Sequence, residues 1–295
     1  MRDILMQNIY DVYGIRELQG IILEIMVYID SFCNSNQIEY CICGGTALGA
    51  RRNNGFIPWD DDIDIYMTAK EYNKFKKIFL EKGDLEKYYL QEYGKTKYKN
   101  KDMITMAKIR MNNSYIDETG VDSNWNIHKG IFVDIFILHN LPEVKYKRAI
   151  QYCWSELVVL KGLQKRNYNT ENFKYRVMLS IIKLFPTRWL LKHGLYNVYK
   201  YDDLETIYLQ DFIGSVKYKN SVFPYNSMYP SVRGNFEKVA LQMPADNDKY
   251  LEIEYGRDYL TPPPIEEIPI GKHIVNWKTN VKIDYFNNND EVKLI

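Results

Sequence analysis

The stretch "CICGGTALGARRNNGFIPWDDDIDIYM", Cys41 to Met67, combines a double glycine with four aspartates. Its end, DIDIYM, alternates polar and apolar residues, so Asp62 and Asp64 are predicted to lie on one face of a half-buried strand. On such a face their Cα atoms would be about 6.6 Å apart. Carboxylates this close repel one another unless a cation neutralises them. The stretch therefore predicts a metal site with Asp62 and Asp64 as ligands and with Asp60 and Asp61 as flanking residues.

The double glycine, Gly44 and Gly45, ends an apolar strand and precedes a short helix that starts near Thr46. Glycines at a helix N-terminus let backbone N–H groups approach a phosphate closely. Carboxylates beside a phosphate cradle are typical of phosphoryl or nucleotidyl transfer. Mg²⁺ suits such a site because it takes one or two carboxylates and completes its shell with water and substrate phosphates. Mg²⁺ is thus the predicted cofactor, with Mn²⁺ as the alternative ion.

A third carboxylate is expected from a second strand. Asp134 is the only charge in the nine-residue apolar segment GIFVDIFIL, Gly130 to Leu138. An unpaired carboxylate buried in such a strand is costly, so Asp134 needs a cation or a hydrogen-bond donor. The alternative is an exposed strand position.

The same aspartates also allow a reading as a calcium loop. With Asp60 as position 1, acidic residues fall at positions 1, 3 and 5, Thr68 falls at 9 and Glu71 at 12. Position 6, which needs glycine, is Ile65, and a β-branched residue avoids positive φ. A calcium-binding module remains an alternative that these residues disfavour.

The composition predicts a globular chain without a global field for polyanions. The sequence has 39 Lys and Arg against 38 Asp and Glu, so no nucleic-acid partner is expected. It has neither a secretory signal at Met1 nor a spanning run of about 18 apolar residues, which predicts a cytoplasmic protein. Cys33, Cys41, Cys43 and Cys153 are expected to be thiols, because the spacing for a zinc site is incomplete.

The order of patterns predicts an α/β (α+β) fold, a mixed sheet flanked by helices. An apolar stripe predicts a helix over residues 14–32, and strands are expected at IEYCIC (38–43), MITMAKIR (103–110) and GIFVDIFIL. "TAKE", Thr68 to Glu71, is a capping box that starts the next helix. We expect a catalytic core over 1–140, a helical insertion over 141–215 and a C-terminal segment over 216–295 that packs back on the core and contains a capped helix at DNDKYLEIEYG.

The insertion contains a basic, apolar segment at residues 175–200, broken at Pro186 and devoid of acidic residues. A pair of such helices can lie on an anionic membrane surface. The alternative is an ordinary pair of core helices. The segment therefore predicts either internal packing or peripheral contact at the inner face of the membrane.

At these residues the chain resembles the LicD/fukutin-related phosphotransferases, a branch of the nucleotidyltransferase superfamily. The resemblance rests on GGTALGARRNNGFIPWDDDIDI (44–65). It is supported by MAKIRMNNSY (106–115), KGIFVDIFIL (129–138) and YLEIEYGRDYLTPPP (250–264). It implies transfer of a phospho-alcohol, such as phosphocholine, ribitol phosphate or glycerol phosphate, from a CDP-activated donor to a hydroxyl of a glycan, a lipid-linked glycan or a teichoic-acid precursor, with release of CMP.

Carried over by position, the resemblance makes Asp62 and Asp64 metal ligands and Asp134 either a third ligand or a proton acceptor. Gly44 and Gly45 would hold the phosphates. The other residues expected to bind substrate are Thr46, Arg51, Lys108, Arg110 and His128, the last four with the alternative of a structural or surface role. Trp59 and Tyr66 are candidates for stacking on cytosine, with a place in the core as the alternative. A nucleotidyltransferase that releases pyrophosphate from a nucleoside triphosphate remains the alternative enzyme.

Overall fold

The structure is a computed structural model that describes residues 14–92, 106–118, 127–165, 168, 170–212, 221–264, 268 and 274–279. Its eight described helices are α1 (Arg16–Ser35), α2 (Gly44–Asn53), α3 (Ala69–Lys82), α4 (Lys145–Lys165), α5 (Phe173–Lys183), α6 (Thr187–Tyr199), α7 (Tyr225–Met228) and α8 (Asn247–Tyr255). Its strands are β1 (Cys41–Ile42), β2 (Asp64–Thr68), β3 (Tyr88–Gln91), β4 (Ala107–Met111), β5 (Ser114–Glu118), β6 (Phe132–Asn140), β7 (Tyr208–Asp211), β8 (Val222–Pro224), β9 (Val232–Phe236), β10 (Val239–Met243) and β11 (Ile274–Thr279).

A seven-stranded mixed sheet organises the fold. Its main path is β1-β2-β6-β4-β3, with β7 added beside β6 and β8 beside β7. β2 and β6 run parallel, and the other neighbours are antiparallel. The mixed α/β (α+β) prediction is thus confirmed. β6 lies in the middle of the sheet, and almost all of its residues are buried, as expected of a strand covered on both faces.

Two helices pack as their apolar spacing predicts. Leu18, Ile22, Ile25 and Ile29 of α1 are buried in the main core, which confirms the helix predicted over 14–32. α3 starts at the predicted cap, where the Glu71 N–H donates to Thr68 Oγ1. The Glu71 carboxylate does not close a reciprocal capping box, because it accepts the N–H of Glu39 instead.

The calcium-loop alternative is wrong for the described segment. Ile65 lies inside β2, paired with Ile42 and Ile135, where a loop would need its sharp turn. Thr68 caps α3, and Glu71 bonds to Glu39. The segment forms a strand rather than a calcium loop because DIDIYM alternates with the period of a half-buried strand.

The three middle helices, α4 to α6, have a small core of their own, formed by Val158, Leu160, Ile182, Leu190 and Leu191. The predicted helical stretch is too long at its C-terminal end. Residues 208–211 form β7, which pairs with β6 in the main sheet. Residues 103–105 of the predicted strand MITMAKIR and the C-terminal tail from 280 lie outside the described residues.

Chain segments after β7 pack against the start of the fold. The Arg16 guanidinium bonds to Glu237, the Tyr40 N–H donates to Gln242 Oε1, and β10 lies near β1. Cys33, Cys41 and Cys43 are buried thiols and Cys153 is an exposed one. Within the described ranges, none of the helices has the length and apolar character needed to cross a bilayer.

Candidate active site

The aspartate loop leads directly into β2. The strand begins at Asp64, so Asp62 lies just before it, whereas the sequence pattern had placed both on one strand. The carboxylate oxygens of Asp60, Asp61 and Asp62 lie within 4.8 Å of one another. Their mutual distances therefore give no reason to prefer Asp62 over Asp60 and Asp61 as a ligand, whereas the strand-face argument preferred Asp62. Of the three, Asp60 and Asp62 also act on the charge of Asp64, so these two join Asp64 in the candidate ligand set.

Asp64 and Asp134 are brought together by strand pairing. They are register partners on the parallel strands β2 and β6, and the Asp134 N–H donates to the Ile63 carbonyl at 3.0 Å. Burial, followed by the charges of Asp62 and Asp134, raises the pKa of Asp64 well above its usual value. The cost of ionising Asp64 is thus high unless a cation is near.

The residues present fit a divalent cation. Asp64 Oδ1 is buried, and no donor from the described part of the chain makes a hydrogen bond to it. The surrounding side chains offer oxygen ligands from Asp60, Asp62, Asp64 and Asp134. An all-oxygen carboxylate set suits Mg²⁺ or Mn²⁺ rather than zinc, which favours nitrogen and sulfur.

Lys108 supplies a fixed positive charge to this group. It is the register partner of Asp134 on β4, and its Nζ lies 2.8 Å from Asp134 Oδ1. Lys108 is 4% exposed and Asp134 is 7% exposed, so the pair is screened little by solvent. Asp134 therefore has the donor that its buried position requires. Lys108 thus lies beside the aspartates as the partner of a carboxylate, and its predicted role in diphosphate binding stays a prediction.

The double glycine lies against the same carboxylates. Gly44 has φ +55°, and a Cβ atom added there would lie 3.2 Å from Asp64 Oδ2. A Cβ atom on Gly45 would lie 2.5 Å from Asp60 Oδ2. The Thr46 hydroxyl oxygen accepts the Asp64 N–H at 2.9 Å. The start of α2 and the aspartates therefore form one site, and a side chain at either glycine would intrude on it.

The long segment between Gly45 and Asp60 brings the glycines and the aspartates back together. Asn54, with φ +57°, caps the C-terminus of α2. The chain then returns to the start of the helix, where the Cys43 N–H donates to the Asp64 carbonyl at 3.0 Å. The segment therefore forms a helix and a return segment, and it does not separate the two halves of the site.

Two predicted substrate-binding residues, Arg51 and Arg110, have partners within the protein. Arg51 Nε lies 2.6 Å from Asp248 Oδ1 on α8. Arg110 is 1% exposed and donates from Nε to Gln91 and from Nη1 to the Gly130 carbonyl. These contacts do not bring either guanidinium to the aspartates of the site. Their predicted role in diphosphate binding stays a prediction.

His128 is also held by its neighbours. Its Nδ1 accepts the Gly130 N–H at 3.0 Å, its Nε2 lies 2.9 Å from Asn112 Oδ1, and its ring stacks on Tyr89. These contacts fit a neutral ring that carries its proton on Nε2. The geometry gives His128 a role in holding the β4–β6 end of the sheet.

The predicted cytosine-stacking residues differ in placement. Tyr66 is 3% exposed, its ring packs against Phe136 and Phe223, and its hydroxyl donates to Asp211 Oδ2 at 3.3 Å. A ring so enclosed has no open face for a base, so the stacking prediction is wrong for Tyr66. Trp59 is partly exposed, with the Arg52 guanidinium over its ring, and its role stays a prediction.

Sequence reasoning missed the residues that α8 contributes. The fully buried Tyr250 accepts the Gly44 N–H on its hydroxyl oxygen at 2.7 Å. Glu254 lies one turn later, and burial raises its pKa to about 7, with a further contribution from Asp211. The i, i+4 spacing of Tyr250 and Glu254 was visible as one helix face. The contact of Tyr250 with Gly44 was not, because it joins distant parts of the chain.

Comparisons with known proteins show what the chain is similar to. The domain family described as LicD/FKTN/FKRP, nucleotidyltransferase domain, matches residues 37–152. The lipopolysaccharide cholinephosphotransferase LicD of Haemophilus influenzae is 26% identical over 260 residues, which cover 86% of this chain and 94% of that protein. An uncharacterized protein of Rickettsia typhi is 37% identical over 67 residues, 22% of each chain. The resemblance drawn from the sequence is confirmed, and so is the prediction of an enzyme.

Proposed function

We propose, from the LicD-type domain at residues 37–152, that this chain transfers a phospho-alcohol from a CDP-activated donor to a glycan hydroxyl and releases CMP. The donor would be CDP-choline, CDP-ribitol or CDP-glycerol, and the acceptor a cell-surface glycan or teichoic-acid precursor. The observation that carries the proposal is the closeness of Gly44 to Asp64: a Cβ atom added to Gly44 would lie 3.2 Å from Asp64 Oδ2, so a helix N-terminus lies beside paired carboxylates. The similarity to a cholinephosphotransferase over 86% of the chain supports it.

The reaction requires in-line displacement at the phosphorus that carries the alcohol. The acceptor oxygen forms a bond to that phosphorus, and the bond from phosphorus to the bridging oxygen of the diphosphate breaks. CMP leaves with the bonding electrons, and the hydroxyl proton passes to a base. Most of the catalysis in such a reaction comes from positioning and charge stabilisation.

The chain's own residues supply a cation site and a cradle. Asp64 and Asp134, with Asp62 and Asp60 beside them, would hold the divalent ion. When bound, Mg²⁺ or Mn²⁺ would neutralise the charge that builds up on the phosphate oxygens. The N-terminus of α2 adds partial positive charge where the donor's diphosphate would lie. Tyr250 fixes Gly44 in position through its hydrogen bond, and Lys108 holds Asp134 in place.

Transfer of a nucleotidyl group is the second candidate, and the matching domain family, which is described by that activity, favours it. The acceptor would then attack the α-phosphorus of a nucleoside triphosphate, and pyrophosphate would leave. The same cradle and carboxylates would serve both reactions. The products distinguish them, since one reaction gives CMP and the other gives pyrophosphate.

The test combines ligand binding with product analysis. We expect one of the three CDP-alcohols, together with Mg²⁺, to raise the melting temperature of the protein more than CTP does, since ligands that bind only the native state stabilise it. Incubation of that donor with acceptor polysaccharide should give CMP. Asp64→Asn should lose the reaction, whereas the exposed Asp203→Asn should keep it. Pyrophosphate from CTP without CMP from any CDP-alcohol would overturn the proposal in favour of nucleotidyl transfer.

A further inference from the structure

Helix α5 is apolar on two opposite faces. Tyr175, Leu179 and Ile182 pack against the small core of α4 and α6. Because a helix repeats about every 3.6 residues, a second apolar set lies on the other side. Leu184, at 82% exposure, and Phe173, at 70%, are the most exposed large apolar side chains of that set, which also includes Val177 and Ile181. One apolar face of α5 is thus packed, and the other is open to solvent.

The open face continues into the next helix. The Phe185 ring stacks against Trp189 of α6, and both side chains are exposed. Lys161 Nζ donates to the carbonyls of Ile182 and Phe185, which ties the end of α5 to α4. We call this surface the apolar face; it consists of Phe173, Val177, Ile181, Leu184, Phe185 and Trp189. It is held on a packed helical hairpin, and a shallow groove runs along its α5 part.

The two helices that carry the apolar face, and the turn between them, have basic but no acidic residues. Between residues 172 and 201 the chain has no Asp or Glu. It has six basic side chains there, all exposed: Lys174, Arg176, Lys183, Arg188, Lys192 and Lys200. By helical position, Lys174 lies on one side of the α5 stripe and Arg176 and Lys183 lie on the other. In a chain with nearly equal numbers of basic and acidic residues, this is a local concentration of positive charge.

We propose that the apolar face and its basic flanks bind the surface of an anionic lipid bilayer, with α5 lying in the plane of the interface. An apolar stripe bordered by Lys and Arg is the arrangement of interfacial helices, whose apolar side enters the acyl boundary while the cations meet lipid phosphates. Trp189 and Phe173 suit that boundary as aromatic anchors. The uniform sign of the charge is the reason to choose a bilayer over a second copy of the chain, whose identical surface would repel it.

Vesicle flotation of the full chain tests the proposal. The probes are vesicles of phosphatidylcholine alone and vesicles of phosphatidylcholine with phosphatidylglycerol. We expect the protein to float with the anionic vesicles, to remain behind with the neutral ones, and to be released as salt rises. Two double variants, Phe173→Ser with Leu184→Ser and Lys174→Gln with Arg176→Gln, should each reduce partitioning by about tenfold or more.

Matched controls come from α3. Leu80 is 53% exposed there, and Lys70 and Lys77 are exposed. Leu80→Ser and the pair Lys70→Gln with Lys77→Gln should bind vesicles like the wild type. Failure of the wild type to float with anionic vesicles would overturn the proposal, as would equal binding by the double variants. A wild-type dimer that the double variants convert to monomer would overturn it in favour of a second copy. Circular dichroism of each variant shows that it is folded, and no readout depends on turnover.

Discussion

Asp64 and Asp134 lie side by side as register partners on the parallel strands β2 and β6, although they are far apart in the chain. The start of α2 lies beside Asp64, since a Cβ atom added to Gly44 would lie 3.2 Å from Asp64 Oδ2. Parallel pairing thus places two carboxylates at one level of the sheet, with a helix N-terminus beside them.

Replacing Asp64 by Asn should separate catalysis from stability. Burial and the neighbouring carboxylates raise the pKa of Asp64, so its ionised form is costly without a cation. Without metal, Asp64→Asn should therefore unfold at the same temperature as the wild type or at a higher one. Transfer should fall by about 100-fold or more, since a ligand of the ion that would stabilise the developing charge is lost. Melting curves and product release measure the two effects.

The metal dependence supplies the control for Asp64. Mg²⁺ should raise the melting temperature of the wild type and of the exposed variant Asp203→Asn, because each retains the carboxylate group. It should raise that of Asp64→Asn much less. Near-wild-type turnover, or an unchanged Mg²⁺ effect, in Asp64→Asn would rule out this residue as a ligand.

Lys108 and Asp134 should behave as one buried ion pair. Lys108→Met leaves the Asp134 carboxylate without its 2.8 Å partner in a poorly solvated place. Loss of one member of a buried pair costs about 3–5 kcal/mol of unfolding free energy. The double variant Lys108→Met with Asp134→Asn removes the uncompensated charge, so it should recover most of that loss. Denaturant unfolding of the four proteins in a double-mutant cycle measures the coupling.

Additive effects of the two substitutions would contradict this interpretation. The exposed pair Arg51 and Asp248 serves as the comparison, because exposed pairs contribute roughly 0–1 kcal/mol. Arg51→Gln should therefore change the unfolding free energy little. If Arg51 binds the donor's diphosphate as predicted, Arg51→Gln should raise KM for the donor, whereas Asp248→Asn should not.

Gly44→Ala should impair the site through the backbone and through space. Gly44 has φ +55°, a region that costs an L-residue about 1–2 kcal/mol. The new methyl group would also press on the Asp64 carboxylate. Gly14 has φ +68° but has open space around it, so Gly14→Ala should show the backbone cost without the loss of transfer. Equal activity of Gly44→Ala and the wild type would show that the cradle is not used.

Local patterns predicted the elements of the core correctly. The stripe of α1, the cap at Thr68, the strand around Asp134 and the glycine-led start of α2 each follow from spacing within a few residues. Asp134 was expected near Asp62 and Asp64 because a lone carboxylate in an apolar strand needs a cation or a hydrogen-bond donor. In each of these inferences the deciding interaction was local or was implied by an unpaired charge.

Long-range contacts account for the errors and omissions. Tyr66 alternates like a site residue, but Phe136 and Phe223 from other strands enclose its ring. The hydrogen bonds of Arg110 with Gln91 and Gly130 are an omission, because the sequence does not show which strands lie beside Arg110. β7 was missed because its sequence has no strand pattern of its own, and its extended form depends on pairing with β6. Tertiary context overrides local preference most readily in such short segments.

Glu254 should make the stability of the protein depend on pH. Its Oε2 atom is buried, and the groups that face it come from several elements, namely Tyr250 on α8, Asp211 on β7 and Tyr66 on β2. Burial raises its pKa in the folded protein to about 7. The unfolded chain should titrate at about 4.3. The folded state therefore holds the extra proton between these values, and that contribution to stability is fully present below pH 4.3 and is lost as pH rises through 7.

Comparison of the wild type with Glu254→Gln isolates this contribution, because glutamine keeps the shape and cannot ionise. Between pH 5 and pH 8 the unfolding free energy of the wild type should fall by about 2–3 kcal/mol relative to that of the variant. Urea unfolding at the two pH values measures it. Glu252→Gln, on the same helix, is the control, because hydrogen bonds with Lys249 and Arg257 lower the pKa of Glu252 and give no loss over this range. If the two proteins respond to pH in parallel, Glu254 is ionised throughout, and the cluster of Tyr250, Asp211 and Tyr66 accommodates its charge.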